Sequence, residues 1–295
     1  MQVYEYRIDP ECICLKDIFE CGQTFRWRPA ELAGADSGDA SGASRTFGRP
    51  ECYEGACGSY FARITLDGDK LTVEATGGDR EYWFNYLDLG RDYAAVKSRL
   101  IKCEPGIKPA TESGYGIRIL NQDFFEMLIS FIISQNNNIP RIRKCIEAIC
   151  NEYGEPIEGT GLNSFPTPEA LAAADVCRLG ELKLGYRCEY IVESSRRFLE
   201  QGAPSSKSTA ELKKELLAYH GVGPKVADCI MLFGLGRVDA FPIDVWVKKI
   251  MNDMYGFDLS DTKGMHAFAA ERFGDIGGLA QQYLFHYYRN VKPLE

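Results

Sequence analysis

The stretch that decides the fold is Leu216–Val247, LLAYHGVGPKVADCIMLFGLGRVDAFPIDVWV. A helix is predicted to end near His220, followed by a tight turn at Gly221-Val222-Gly223 and a second helix opened by Pro224, because proline fits the first helical turn, where its missing N–H has no partner in any case. Glycines leave no Cβ between the backbone and an approaching group, and the free amides at a helix start attract anions. The pattern predicts a helix-hairpin-helix at about 210–233 that can hold a phosphate through its backbone.

Lys225 and Asp244 are the two polar residues in this stretch that could take part in catalysis. Lys225 falls in the first turn of the second helix, where the helix dipole and burial both lower the pKa of an amine. A neutral amine can attack a carbon centre. Asp244 is predicted to be the N-cap of the next helix, where an ionised carboxylate can stabilise a developing positive charge. The residues alone leave open an exposed lysine and a simple helix cap.

The rest of the chain predicts an α+β fold. Arg63–Ala75 alternates apolar and polar residues around Asp67-Gly68-Asp69, which indicates a β-hairpin. After about residue 90 the apolar period becomes 3.6, and Gln122–Ser134 predicts a buried helix. We therefore expect a strand-rich domain over 1–112, with a Gly/Ala/Ser/Asp surface loop at about 31–50, and a helical region over 113–295. Further helices are predicted at Arg141–Tyr153, Ala210–Tyr219, Lys225–Phe233, Val245–Tyr255 and Gly278–Arg289.

Composition limits the function classes. The chain has 295 residues, a net charge of −8 and eleven cysteines, and it shows neither a long apolar run nor a secretion signal. We expect reduced thiols in an intracellular compartment, no membrane association and no iron–sulfur cluster, since no cysteines cluster in the C-terminal region. The acidic surplus argues against nucleic acid, but Ser206–Ile250 holds seven Lys/Arg against five Asp/Glu. No long heptads occur, so we expect a monomer.

Six separate blocks carry a resemblance to a known family. They are CGQTFRW at 21–27, YFARITL at 60–66, GIRILNQDFFEMLISFIISQNNNIPRI at 116–142, LKLGYRCEYI at 182–191, the hairpin, and GLAQQYLFHYYRN at 278–290. Together they resemble the helix-hairpin-helix (HhH-GPD) DNA glycosylases, and VADC after Lys225 resembles their 8-oxoguanine branch. The resemblance implies a TATA-binding-protein-like N-terminal domain followed by helical domains. It also implies a glycosylase and abasic-site lyase that uses a lysine Schiff base, needs no cofactor for catalysis, and acts on double-stranded DNA containing 8-oxoguanine.

The matching positions imply a pocket for the flipped base. Cys229 and Phe285 would sandwich the purine, and Gln281 would read its pairing edge. The carbonyl of Gly22 would accept the N7–H that oxidised guanine has and guanine lacks. Asn136, Arg141 and Arg187 would hydrogen-bond the cytosine left opposite, while Tyr186 fills the duplex beside it.

The resemblance also implies contacts with the DNA backbone and with a cation. Residues expected near phosphate are Gly221, Gly223, Lys225 and Trp246. Trp246 departs from the family's histidine, and its ring nitrogen can donate a hydrogen bond but cannot carry a charge. A structural sodium, potassium or calcium ion would bind the backbone carbonyls of Leu217, Tyr219 and Val222, because hard cations take oxygen ligands.

Two alternative functions remain open from sequence. One is a non-catalytic helix-hairpin-helix protein that only holds DNA, which needs neither Lys225 nor Asp244. The other is a glycosylase for a different damaged purine, which Gly22 and Gln281 disfavour. The compartment would be the cytoplasm in a bacterium and the nucleus in a eukaryote.

Overall fold

The computed structural model describes residues 1–32 and 50–292. The expected loop at about 31–50 lies almost entirely outside the described residues. Five antiparallel strands form one sheet in the order β1-β5-β4-β3-β2. Their bounds are β1 Gln2–Arg7, β2 Trp27–Pro29, β3 Glu51–Cys57, β4 Tyr60–Asp67 and β5 Lys70–Ala75.

The predicted hairpin is present between β4 and β5. Asp67 pairs with Lys70, so Gly68 and Asp69 form a two-residue connection, and Gly68 has the positive φ of 59° that such turns require. One face of the sheet packs on a cluster that includes Ile64, Leu71 and Trp83. This sheet, followed by a mostly helical region, confirms the α+β class.

Helices begin earlier than the sequence predicts. The apolar period was expected to change after about residue 90, but α2 already begins at Arg80 because the Asp79 carboxylate accepts the Tyr82 amide at 2.7 Å and caps the helix. The strand-rich part therefore carries helices of its own. They are α1 Leu15–Phe19, α2 Arg80–Tyr86, α3 Tyr93–Cys103 and α4 Lys108–Ser113.

The remaining chain is mostly helical, and the helices predicted there are all present. Their bounds are α5 Phe124–Ser134, α6 Ile139–Tyr153, α7 Pro168–Ala172, α8 Val176–Glu181, α9 Arg187–Gln201, α10 Thr209–Leu216, α11 Pro224–Gly234, α12 Val245–Tyr255, α13 Thr262–Phe273 and α14 Gly277–Asn290. Two short strands, β6 Pro156–Ile157 and β7 Leu162–Asn163, pair between α6 and α7.

The buried helix α5 organises the helical part. Ten of its side chains are buried, and α11 and α9 pack against it. Its Glu126 accepts the Gly58 amide of the sheet at 2.7 Å, and burial raises the pKa of that carboxyl to about 7. The helix that supports the hairpin is thus bonded to the strand domain. Among the described residues, no helix is both long and apolar enough to cross a membrane.

Candidate active site

The turn between α10 and α11 uses its two glycines differently. Gly221 has φ of 80°, and a Cβ there would lie 2.3 Å from the Tyr190 ring, so only glycine fits. Gly223 is extended, with φ of −87°, and a Cβ there would meet no heavy atom within 4 Å. Of the two glycines, only Gly221 therefore uses the positive φ that glycine allows. Its role is to leave the start of α11 open to an approaching group.

A cavity of about 60 Å³ lies beside the start of α11. It is lined by Cys21, Gly22, Phe131, Lys225, Cys229, Phe233, Pro242, Asp244, Gln281, Gln282 and Phe285. These residues come from the loop after α1, from α5, α11 and α14, and from the segment around α12. The cavity brings together all six residues that sequence reasoning assigned to catalysis and to the base pocket.

Lys225 enters this cavity from the first turn of α11. Its Nζ lies 5.6 Å from the centroid of the Phe131 ring. The pKa of Lys225 lies above its ordinary value because Cys229 and Asp244 favour the charged amine more than burial opposes it. This corrects the expected lowered pKa, since the two neighbouring groups outweigh burial and the helix dipole. Burial raises the pKa of Cys229 to about 11, and the nearby Lys225 amine opposes this rise.

Asp244 is the N-cap of α12, as its position before VWVKK predicts. Its Oδ1 accepts the Val247 amide at 2.8 Å, and the same carboxylate lines the cavity beside Lys225. One oxygen therefore fixes the side chain against its own helix. An anion held in this way is suited to stabilise positive charge that develops in the cavity.

Gln281 and Phe285 lie one turn apart on α14, and both line the cavity. Gln281 is 5% exposed, and its Oε1 is buried without a hydrogen-bond partner among the described residues. An oxygen in this position can accept a hydrogen bond from an N–H group of a ligand that enters the cavity. Across the cavity, a Cβ on Gly22 would be 3.8 Å from the Phe285 ring, and the φ of 87° at Gly22 favours glycine.

The opposite-base residues form a second cluster, but Arg187 does not reach outwards. It is 4% exposed, and its guanidinium donates to the carbonyls of Gln135 and Asn136 while lying 4.5 Å from the Tyr186 ring centroid. Asn136 is exposed and adopts a φ of 46°, which is uncommon outside glycine. The structure thus brings Asn136, Tyr186 and Arg187 together around one loop.

Arg141 lies at the edge of this cluster, on the first turn of α6. Its side chain is exposed and donates to the Lys183 carbonyl at 3.5 Å. The Asn-rich segment also performs the structural role that asparagines favour, because Asn138 caps α6 by accepting the Arg141 amide at 3.1 Å. Capping and an exposed Asn136 therefore coexist in one segment.

Trp246 and the hairpin carbonyls are the groups expected to meet a phosphate and a cation. Trp246 is exposed on the first turn of α12, with the Lys249 amine 5.8 Å from its ring. Leu217, Tyr219 and Val222 all border a groove formed by the hairpin and α9. No group of three His, Cys, Asp or Glu side chains within 1–32 and 50–292 is arranged to hold a metal ion.

A larger cavity of about 910 Å³ lies elsewhere, between β1, α2 and α3. Its charged lining is balanced, with Arg7, Arg80, Arg91 and Arg118 facing Asp9, Asp79, Glu81 and Asp92. The arginines are already bonded, for example Arg118 to the Cys12 and Asp88 carbonyls. Size alone therefore does not identify the functional cavity, whereas the unpartnered Gln281 and the Lys225–Asp244 pair do.

Sequence reasoning missed Cys21, Phe131, Phe233, Pro242 and Gln282 as lining residues. Cys21 and the three apolar residues resemble ordinary core, so no local signal distinguishes them. Gln282 did carry a signal, since two consecutive glutamines occur on a helix that is otherwise apolar at Leu279, Ala280, Tyr283 and Leu284.

Comparisons with known proteins agree with this geometry. Residues 5–128 match the family described as 8-oxoguanine DNA glycosylase, N-terminal domain. Residues 129–274 match the HhH-GPD superfamily of base excision DNA repair proteins. The N-glycosylase/DNA lyase of Saccharomyces cerevisiae is 38% identical, over 82% of this chain and 68% of its own length. The chain belongs to the helix-hairpin-helix family of 8-oxoguanine DNA glycosylases.

Solved structures extend the match across almost the whole chain. MBOgg1 in complex with a low-affinity DNA ligand is 38% identical, with a TM-score of 0.85 over 98% of this chain and 96% of that one. The 8-oxoguanine glycosylase/lyase of Clostridium acetobutylicum, bound to double-stranded DNA with cytosine opposite 8-oxoguanine, is 35% identical with a TM-score of 0.83 over 98% of both chains. This family member therefore shares both domains with those proteins.

Proposed function

We propose that this chain excises 8-oxoguanine from duplex DNA and then cleaves the strand at the abasic site. The observation that carries the proposal is the cavity in which Lys225 and Asp244 face Gly22, Cys229, Gln281 and Phe285. An amine and a fixed carboxylate supply nucleophilic catalysis, while a buried amide oxygen without a donor supports recognition of a polar ligand edge. Neither role requires a cofactor.

The chemistry follows from the position of the amine. The neutral Lys225 Nζ attacks C1′ of the damaged nucleotide, the C1′–N9 bond breaks, and the base leaves with the bonding electrons and takes up a proton. The nitrogen lone pair then forms the C1′=N bond while the C1′–O4′ bond breaks and O4′ takes up a proton, which opens the sugar ring. The resulting Schiff base acidifies C2′, whose deprotonation expels the 3′ phosphate by β-elimination, and water then hydrolyses the imine and releases the lysine. Asp244 stabilises the positive charge that develops on the sugar and on the iminium.

The experiment that tests this function uses a duplex with one 8-oxoguanine. We expect release of the base, strand cleavage, and a covalent protein–DNA adduct when borohydride reduces the Schiff base. A chain that binds this duplex without releasing the base or forming the adduct would be a non-catalytic DNA-binding protein. Release of an alkylated purine in preference to 8-oxoguanine would show that the pocket recognises a different damaged base.

The raised pKa of Lys225 predicts a pH-dependent rate. Because this pKa lies above the ordinary 10.5, the neutral amine is a small fraction at pH 7 and grows about tenfold per pH unit towards that value. Single-turnover excision at saturating enzyme is therefore expected to rise from pH 6 to about pH 9. A profile that stays flat, with DNA affinity measured in parallel at each pH, would contradict a protonated resting lysine.

We further propose that Asn136 and Arg141 read cytosine opposite the lesion, and that Arg187 joins them when DNA binding exchanges its bonds to the Gln135 and Asn136 carbonyls for bonds to the base. Each side chain lies on the loop and helix start that surround Tyr186, and arginine and asparagine donors match the acceptors of cytosine. A wrong partner leaves a donor unpaired, which costs about 1–3 kcal/mol. Excision should therefore be about five- to a hundredfold faster opposite cytosine than opposite adenine.

Arg141→Ala is expected to flatten this preference more than it lowers the best rate, because Arg141 is exposed and its removal leaves α6 intact. The measurement is single-turnover excision opposite each of the four bases. Lys144→Ala, an exposed cation on the same helix, is the control. Equal rates opposite cytosine and adenine in the unsubstituted chain would contradict the assignment of the cluster.

We also propose that the hairpin binds a structural cation. The carbonyls of Leu217, Tyr219 and Val222 border one groove, and a set of carbonyl oxygens suits sodium, potassium or calcium. Such an ion would stiffen the turn that meets the DNA phosphate and would take no part in the chemistry.

Trp246, exposed beside Asp244, would donate its ring N–H to a neighbouring phosphate.

A further inference from the structure

The loop that carries Gly22 is held at the carbonyl on either side of that glycine. The Cys21 carbonyl accepts Gln282 Nε2 at 2.9 Å, and the Gln23 carbonyl accepts Gln122 Nε2 at 2.8 Å. The carbonyl between them, that of Gly22, accepts no hydrogen bond from any residue in 1–32 or 50–292. Two glutamine amides therefore clamp the flanking peptides and leave one acceptor free at the cavity wall.

The Gln23 side chain fixes the same loop to the protein interior. It is fully buried, and its amide donates to the carbonyls of Ile18 at 2.9 Å and Arg118 at 2.7 Å while accepting the Leu120 amide at 2.8 Å. A buried amide with these bonds fixes the backbone around it. The Gly22 segment is thus rigid without using the Gly22 carbonyl itself.

The helix α14 is tied to this loop by the residues next to those that line the pocket. Gln281 leaves its Oε1 free in the cavity wall, while the adjacent Gln282 reaches the Cys21 carbonyl. One turn later, His286 Nε2 lies 3.5 Å from Asp17 Oδ1 on α1, and both residues are buried. Two tethers therefore connect the helix bearing Gln281 to the segment bearing Gly22.

We propose that Gln282 is a specificity-positioning residue, whose bond to the Cys21 carbonyl sets the separation between the Gly22 carbonyl and Gln281. The inference rests on the proposed function, in which these two groups contact opposite edges of the flipped base. The difference between 8-oxoguanine and guanine at Gly22 is one N7–H, and a hydrogen bond weakens steeply when its distance or angle changes. Loss of the clamp therefore reduces discrimination before it affects the amine chemistry.

The test measures the single hydrogen bond rather than overall activity. In a Lys225→Gln background, duplexes carrying 8-oxoguanine or its 7-deaza analogue, in which a CH₂ group replaces the N7–H, are compared by equilibrium binding. The parent is expected to prefer 8-oxoguanine by roughly five- to tenfold, the scale of one hydrogen bond. Gln282→Leu, which keeps the apolar bulk and removes the donor, is expected to reduce the preference to within about twofold.

Gln122→Leu provides an independent variant on the opposite side of Gly22. Gln122 is only half-buried, so its replacement is compatible with folding even if Gln282→Leu is not, and it is expected to reduce the same preference. Gln201→Leu, at the exposed end of α9, controls for the substitution itself. Strand cleavage at a preformed abasic site, measured with Lys225 intact, is expected to stay within about twofold in Gln122→Leu and Gln201→Leu because it needs no base recognition.

The outcomes separate the two proposals. A preference that survives in both Gln282→Leu and Gln122→Leu overturns the positioning role, and so does an equal loss of affinity for both duplexes, which indicates a merely structural residue. If the unsubstituted chain fails to release 8-oxoguanine, the proposed function itself fails.

Discussion

Lys225→Gln is expected to abolish base release and strand cleavage, by at least about a thousandfold, while lesion-containing DNA remains bound. The amine lines the cavity and is the nucleophile in the proposed function, and removing a nucleophile typically eliminates most of the rate enhancement. The glutamine keeps length and polarity at the second position of α11 and suits a helix. The phosphate contacts that we expect through the backbone of Gly221 and Gly223 would not depend on the Lys225 side chain.

The measurements are single-turnover release of 8-oxoguanine, borohydride trapping, and equilibrium binding to the same duplex. Lys263→Gln, an exposed lysine on α13, is the matched control and should leave all three unchanged. Base release at the parent rate in Lys225→Gln would mean that the nucleophile is another group.

Asp244→Asn is expected to lower the excision rate by at least about a hundredfold, which is the scale of losing one preorganised electrostatic group. This substitution removes the negative charge of the side chain but keeps its capping oxygen, so an effect on the rate can be distinguished from an effect on stability. Asparagine caps a helix as well as aspartate does, so the bond to the Val247 amide survives and the free energy of unfolding should change by less than about 0.5 kcal/mol.

Asp261→Asn makes the same change at the N-cap of α13, where Asp261 Oδ1 accepts the Gly264 amide at 2.8 Å. That variant should keep both rate and stability. If Asp244→Asn excises at close to the parent rate, Asp244 is a helix cap and the positive charge in the cavity is stabilised by another group.

Local rules were enough for the hairpin and its neighbours. Pro224 and the Asp244 cap define helix starts within a few residues of chain, so sequence reasoning could predict them. The walls of the pocket could not be predicted in this way. Phe131 and Phe233 become lining residues only when α5 packs against α11. Their apolar spacing is the same as that of any core position.

The sequence also could not predict the direction of the Lys225 pKa shift or the hydrogen-bond partners of Arg187. The direction of the Lys225 pKa depends on Cys229 and Asp244, and their combined influence relative to burial cannot be judged from spacing. Arg187 was expected to face the opposite base, yet its carbonyl partners at Gln135 and Asn136 lie some fifty positions earlier in the chain. Contacts between such distant segments are set by tertiary packing rather than by local sequence.

The small volume of the base cavity has a consequence for inhibitor discovery. At about 60 Å³, the pocket holds a few water molecules and falls far below the roughly 300–1,000 Å³ of sites that enclose drug-sized compounds. A purine can enter only if the walls move, and Phe285, half-buried opposite Gly22, is an aromatic wall with access to the surface. A screen against the free protein would therefore find only fragments, whereas one against the lesion-bound complex would sample the opened pocket.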